Sequence, residues 1–374
     1  MPRFQFQSLL SAVSLATQRR RVNIYPWLGI VLLFSMGLPA QAEPYFSAWK
    51  GVNCNACHMN ETGGFARNDF GKSYGSGLQT FDWEGIGDVL NSVKKITSNR
   101  LSLSGDIYFN YTRQDKATPQ DSINNGRQEV YLACYLNKDV TGVYTLSAGA
   151  KEFYGLVSGL PADGYLKFGA FQLAYGLMLA DNQSFIRSPL GFSFDRVDTG
   201  VETGFYPDPF FAKVAVYEGN STDEGKIVST WGGFDFKDFT IGGSFYDQSS
   251  SSKGDTQRVG AFGWGKIWRF AFLGEYDRGY QQDPATLQWD RMIAIHGSME
   301  VDFGNSIYLR LTREFLNPTY APGDEKARSV VGVSFYPIQY LQVTAQYELI
   351  EPAAGVVNGV PTQGTLTVDA HEFF

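Results

Sequence analysis

The sequence predicts a mainly β fold, a transmembrane antiparallel β-barrel of about 16 strands preceded by a small α-helical segment. Three observations predict it. Apolar and polar residues alternate with period two along strand-length segments that fill the chain after Arg100. Aromatic residues collect at the ends of those segments, and the chain closes on Phe373-Phe374, features of bacterial membrane barrels. Ahead of the segments, the run Cys54-Asn55-Ala56-Cys57-His58 lies in a stretch too short to build a core of its own.

Residues 1–42 hold Arg3, Arg19, Arg20 and Arg21, no acidic residue, an apolar run from Trp27 to Leu38, and then Pro39-Ala40-Gln41-Ala42. The apolar run is too short to span a bilayer and ends in the small-residue pattern of signal cleavage. Residues 1–42 are therefore expected to be a secretory signal peptide, with Glu43 first in the mature chain. The whole chain has 31 basic and 38 acidic residues, and loss of the four arginines leaves 27 against 38. That balance argues against a nucleic-acid partner and favours cations. No later stretch reaches 18 apolar residues, so any crossing of a membrane falls to strands.

Residues 43–97 are expected to form a unit around the C-x-x-C-H run. Two thiols at this spacing can each add across one vinyl group of a haem, and the histidine that follows is then held under the iron. Cys54 and Cys57 are thus the candidate attachment residues of one haem c, and His58 its proximal iron ligand. A zinc site would need a second Cys/His pair nearby, whereas Cys134, His296 and His371 lie far downstream. A unit this small needs the haem, or a larger body to pack against, to complete its core. Phe46, Trp49, Phe65 and Phe70 read either as haem packers or as ordinary mini-core aromatics. Ile86, Val89, Leu90, Val93 and Ile96 fit a helical stripe, a connector helix from Trp83 to Ile96.

The barrel is expected over residues 98–374. Leu101, Leu103 and Ile107 alternate with Ser102, Ser104 and Asp106, and Leu341, Val343 and Ala345 with Gln342, Thr344 and Gln346. The segments fall at 100–113, 126–137, 140–149, 150–159, 163–173, 197–206, 209–219 and 225–236, then at 238–248, 256–266, 268–280, 287–303, 305–316, 326–336, 338–350 and 364–374. Sixteen is an even number, as closure of bacterial barrels requires. The turn near Gly149 is poorly marked, which leaves fourteen as the alternative. Tight turns such as Lys237-Asp238 and Phe303-Gly304-Asn305 alternate mostly with longer polar loops such as 114–125, 249–255 and 351–363. The tight turns, the haem unit and the C-terminus then share the periplasmic side.

The longest connection, 174–196, contains Tyr175, Met178, Asp181, Arg187 and Arg196, and a loop of this length is expected to have a purpose. It follows the fifth strand, the position of the loop that folds into the lumen of sixteen-stranded porins. Arg187 and Arg196 read either as lining a constriction or as anchoring the loop to acidic wall residues.

The chain resembles a known family, the outer-membrane fusions of a mono-haem cytochrome c with a porin-like barrel, among them the iron-oxidising outer-membrane cytochromes. The likeness covers residues 43–374 and rests on several features: the order of signal, one C-x-x-C-H run and barrel; Thr62-Gly63-Gly64; Gly169-Ala170-Phe171 with Ala174-Tyr175-Gly176 before the long loop; and the terminal Phe374. The iron oxidases carry an Ala-Arg-Gln-Thr-Gly run before the haem motif, where this chain has Ser47-Ala48-Trp49-Lys50-Gly51, and Glu372 stands where such barrels usually have an apolar residue.

The resemblance implies electron transfer across the bacterial outer membrane. A haem at the periplasmic mouth cannot bridge a hydrocarbon core about 30 Å thick, so the haem unit is expected inside the lumen as a plug. The implied partners are outer-membrane lipid, a periplasmic cytochrome c-like electron carrier and an external electron donor or acceptor, with Fe(II) among the donors. The alternatives are a passive porin with a tethered periplasmic haem carrier or sensor, and a haem enzyme acting on a small molecule such as peroxide. Within 43–97 the only other His or Met is Met59, which is on the wrong side of the ring. A distal ligand must come from the barrel, from Lys50 or Lys72, or from water. His296, inward-facing at mid-height, is the first candidate, although hydrogen bonding to lumen carboxylates is its other reading. Met178 is a softer candidate. His371 faces the lumen close to the periplasmic end.

Overall fold

A computed structural model of the chain describes residues 44–52, 54–60, 66–78, 100–115, 120–147, 152–194, 196–219, 224–250, 254–319, 323–338, 340–352 and 363–373. The signal peptide, Glu43, Thr62-Gly63-Gly64-Phe65, the connector helix over 83–96, Gly149 and Phe374 lie outside the described residues.

Two short helices come first, α1 (Pro44–Lys50) and α2 (Asp69–Ser76), with a 3-10 turn at Cys54–Ala56 between them. Sixteen strands follow. The first eight are β1 (Leu101–Asp115), β2 (Gln120–Tyr135), β3 (Val140–Ser147), β4 (Phe153–Leu160), β5 (Gly164–Gln172), β6 (Val197–Phe205), β7 (Phe210–Glu218) and β8 (Glu224–Phe236). The second eight are β9 (Phe239–Ser250), β10 (Thr256–Ile267), β11 (Phe270–Gln282), β12 (Trp289–Gly304), β13 (Ile307–Asn317), β14 (Lys326–Ile338), β15 (Leu341–Pro352) and β16 (Gln363–Phe373). Each strand pairs with its sequence neighbours, and β1 closes the ring on β16 in antiparallel register from Asp106↔Phe373 to Asp115↔Gly364. The count is sixteen, not fourteen.

The two faces of the wall are inverted relative to a soluble sandwich. On β7, Lys213 is 3% exposed while its neighbour Val214 is 45% exposed, and on β12, His296 is 5% exposed against 41% for Ile295. Apolar side chains look out and polar ones look in, which suits a wall with lipid outside and a polar lumen inside. A closed barrel with this facing is the architecture of bacterial outer-membrane proteins, and its apolar outer belt suits contact with lipid. Aromatics ring the rim at the short turns, where Phe210 lies 5.7 Å from Phe234 and Phe236 lies 4.6 Å from Phe239, ring centre to ring centre. The tight turn of Asn305 and Ser306 has positive φ at both residues, the geometry that matches the twist of the strands it joins.

Several strands outrun their expected ends. β1 and β2 continue to Gln114↔Gln120, through most of the span 114–125 expected to be loop. Beyond the membrane both faces of a hairpin meet water, so polar residues pair without alternation.

Candidate functional site

The C-x-x-C-H run is held in shape by Asn68. Its backbone N–H donates to the Cys57 carbonyl at 3.0 Å, its side-chain Nδ2 donates to the Ala56 carbonyl at 3.0 Å, and its Oδ1 caps α2 by accepting from the Gly71 N–H at 2.9 Å. Gly71 is required by closeness, because a Cβ there would stand 2.1 Å from the Cys57 carbonyl oxygen. His58 pairs with Arg67 in an isolated antiparallel bridge. One residue thus fixes both the turn that presents the cysteines and the helix that covers it.

The segment packs on inward-facing wall residues. Trp49 Nε1 donates to Glu300 at 2.8 Å, and Lys266 Nζ donates to the Trp49 carbonyl at 2.8 Å. Asn60 Nδ2 donates to Glu152 at 2.7 Å, and Lys72 Nζ donates to Ser102 and to the Leu103 carbonyl, both at 2.6 Å. Lys50 stands 4.6 Å over the ring of Tyr74, and Met59 accepts from the Tyr135 hydroxyl at 3.9 Å. Met59 and Lys72 are therefore occupied by the wall.

The loop between β5 and β6 is bound to the opposite wall by charge. Leu177 N donates to Glu275 at 2.6 Å, Ser184 donates to Glu314, and Asp181 pairs with Arg328 at 2.7 Å. Arg328 also holds Glu314 at 2.8 Å and Glu348 at 2.6 Å. Of the two loop arginines, Arg196 bonds the wall carboxylate Asp198 at 2.8 Å, the anchoring role. Arg187 is buried within the loop, where it donates to the Tyr175 carbonyl at 3.3 Å, and burial pulls its pKa down to about 10. It anchors the loop to itself rather than to the wall.

Segment and loop meet at one lumenal cavity. Cys54, Cys57 and His58 line it together with Met178 of the loop and His371 of β16. Phe46, Tyr74, Leu78 and Phe373 supply apolar wall. Burial pushes both thiols up from their ordinary value, Cys57 to about 11 with Cys54 beside it adding to the rise, so the sulfurs are uncharged. The donor set of two neutral sulfurs, an imidazole and a thioether in an apolar-walled space fits a covalently held haem.

His296 is elsewhere. It faces the lumen at mid-height as its alternation predicts, but its Nδ1 lies 2.6 Å from Glu314 and its Nε2 2.9 Å from Ser298, and it lines a separate cavity with Tyr45, Asp181 and Arg328. Wall hydrogen bonds therefore take both ring nitrogens that iron ligation would need. Of the expected packers only Phe46 lines the cavity: Trp49 turns to Glu300, Phe70 is 51% exposed, and Phe65 lies outside the described residues. Sequence reasoning missed Arg67, Tyr74 and Phe373, whose roles depend on contacts between distant segments.

No protein-family model and no curated protein matches the chain. Solved structures do. The chain is similar to an anion-selective porin from Comamonas acidovorans at 10% identity and a TM-score of 0.58, covering 73% of this chain and 99% of that one. It is similar to the in-vitro folded outer-membrane protein OmpT of Vibrio cholerae at 13% identity and a TM-score of 0.59, covering 73% and 97%. A Salmonella typhi OmpF, solved in complex with daunomycin, matches at 9% identity and a TM-score of 0.53, covering 73% and 97%. At these identities the likeness is one of fold.

Proposed function

We propose that this chain is an outer-membrane electron conduit: a porin-like barrel with a mono-haem cytochrome c segment as its lumenal plug. One observation carries the reading, the cavity that collects Cys54, Cys57, His58 and Met178 from two separate inserts. Haem, when bound, supplies a one-electron carrier. Cys54 and Cys57 would hold it through thioether bonds and His58 through its imidazole. Met178 replaces His296 as the distal candidate, because it lines the cavity and a thioether sulfur that accepts one bond, here from Tyr175 N at 3.4 Å, keeps a further lone pair. His371 also lines the cavity, but its Nε2 is held by Asp106 at 2.9 Å and its ring lies 3.8 Å from Tyr108 in a stack. Phe46, Tyr74 and Phe373 would pack against the haem ring. The partners of such a conduit are a periplasmic cytochrome c-like carrier and an external electron donor or acceptor, Fe(II) being one.

The comparisons favour a second reading, a passive porin with a tethered haem carrier or sensor, since the matched structures include porins and the loop between β5 and β6 lies in the lumen as a constriction loop would. Reconstitution of the pure protein in liposomes separates the two. A conduit lets an external reductant reduce an enclosed acceptor while uncharged solutes stay inside. A passive porin leaks the solutes, and enclosed acceptor protected from leakage stays oxidised.

A further inference from the structure

We propose that Arg67 is the anion-binding residue of the cavity and that its ligand is a propionate carboxylate of the haem. The inference rests on the haem reading above and adds an orientation to it. Among the described residues, no Asp or Glu lines this cavity, although the chain as a whole has a net charge of −7; its ionisable lining is Cys54, Cys57, His58, Arg67, Tyr74 and His371. An acidic protein has here a pocket whose only permanent charge is positive. Arg67 reaches that position from a backbone locked to His58 by their bridge. Its Nη2 donates to Asp106 at 2.9 Å, and its guanidinium carbon stands 5.0 Å from the centre of the Phe373 ring. Two contacts hold the plane of the fork while its other amino group, Nη1, is buried with no hydrogen-bond partner among the described residues.

A buried, unfilled guanidinium N–H is costly unless something in the cavity accepts from it. Asp106 does not line the cavity, and its Oδ1 is shared between Arg67 and His371, each at 2.9 Å. From the cavity side, the acceptor would be a group of the ligand. A haem is apolar over its ring and anionic only at its two carboxylates, and an arginine fork matches a carboxylate. The apolar wall of Phe46, Leu78 and Phe373 suits the ring, which leaves the carboxylate edge for Arg67.

The test uses the full-length purified holoprotein with Arg67→Gln and Arg67→Lys. Arg67→Gln should keep its covalent haem on a denaturing gel while its midpoint potential falls, because loss of a nearby positive charge disfavours the electron-rich reduced form. The expected change is on the order of tenfold in the redox equilibrium, about 59 mV for a one-electron couple. Arg67→Lys, which keeps the charge, should lose clearly less. Full haem with an unchanged potential in Arg67→Gln overturns the proposal. If Arg67→Gln does not fold, resonance Raman spectra of the wild-type protein decide: propionate bending modes of a hydrogen-bonded carboxylate that shift in Arg67→Lys support it, and modes of a free solvated carboxylate overturn it. A wild-type chain with no covalent haem overturns this assignment and the reading beneath it together.

Discussion

Two inserts occupy the lumen, and they are held in different ways. The segment 44–78 rests on scattered hydrogen bonds, one each from Trp49 and Asn60 and a pair from Lys72, and on a single ion pair between Arg67 and Asp106. The loop 173–196 is bound through a buried ionic network in which Arg328 alone joins Asp181, Glu314 and Glu348. Buried ion pairs add little net stability but are costly to break on one side, and they fix a single geometry. The contrast separates two tasks on the proposed reading, a rigid floor supplied by the loop and a segment that would carry the haem.

The largest effect should come from the segment. Changing Cys54 and Cys57 together to Ala is expected to abolish the haem band on denaturing gels while the barrel keeps its heat-modifiable mobility, and a surviving band would sink the attachment. Next comes the point where the inserts meet. Met178→Ala should turn a low-spin haem high-spin, whereas His296→Ala should leave the spectrum as it is; the opposite pattern would return the sixth position to the wall. Arg328→Met tests the loop's anchor. It leaves three carboxylates without their shared cation and should cost about 3–5 kcal/mol in urea unfolding, with a rise in single-channel conductance as the loop loosens. If conductance does not change, the ionic network is not what fixes the loop. Trp49→Phe is the mildest, removing one indole hydrogen bond worth about 0.5–1.5 kcal/mol, seen as slightly faster proteolysis of the segment from the periplasmic side. A loss as large as that of Arg328→Met would erase the contrast between the inserts.

The wall was legible because lipid outside and polar lumen inside impose a strict period of two on residues such as Ile295 and His296. It ceased to be legible above the membrane, where Arg113 opposite Asp121 and Gln114 opposite Gln120 pair as strand but read as loop. For the candidate site, C-x-x-C-H named Cys54, Cys57 and His58 as candidates, because covalent haem attachment needs those residues at that spacing, and the three line one cavity. Alternation also gave the correct face for His296. It could not say that Glu314, on the neighbouring strand, takes its Nδ1, since cross-strand register is set by turns rather than by the strand itself. Arg67 and Phe373 are more than three hundred residues apart, and no local pattern announces that they touch.

The seam of the ring has a consequence for assembly. His371 and Phe373 belong to the last strand, which zips to the first through Asp106↔Phe373, and the Phe373 ring presses on α2 so closely that a Cβ at Gly75 would lie 2.7 Å from it. The seam therefore closes the wall directly against the cavity. On the proposed reading, haem and the closing strand share that compartment through His371 and Phe373, so the fit of the cargo and the fit of the seam are linked.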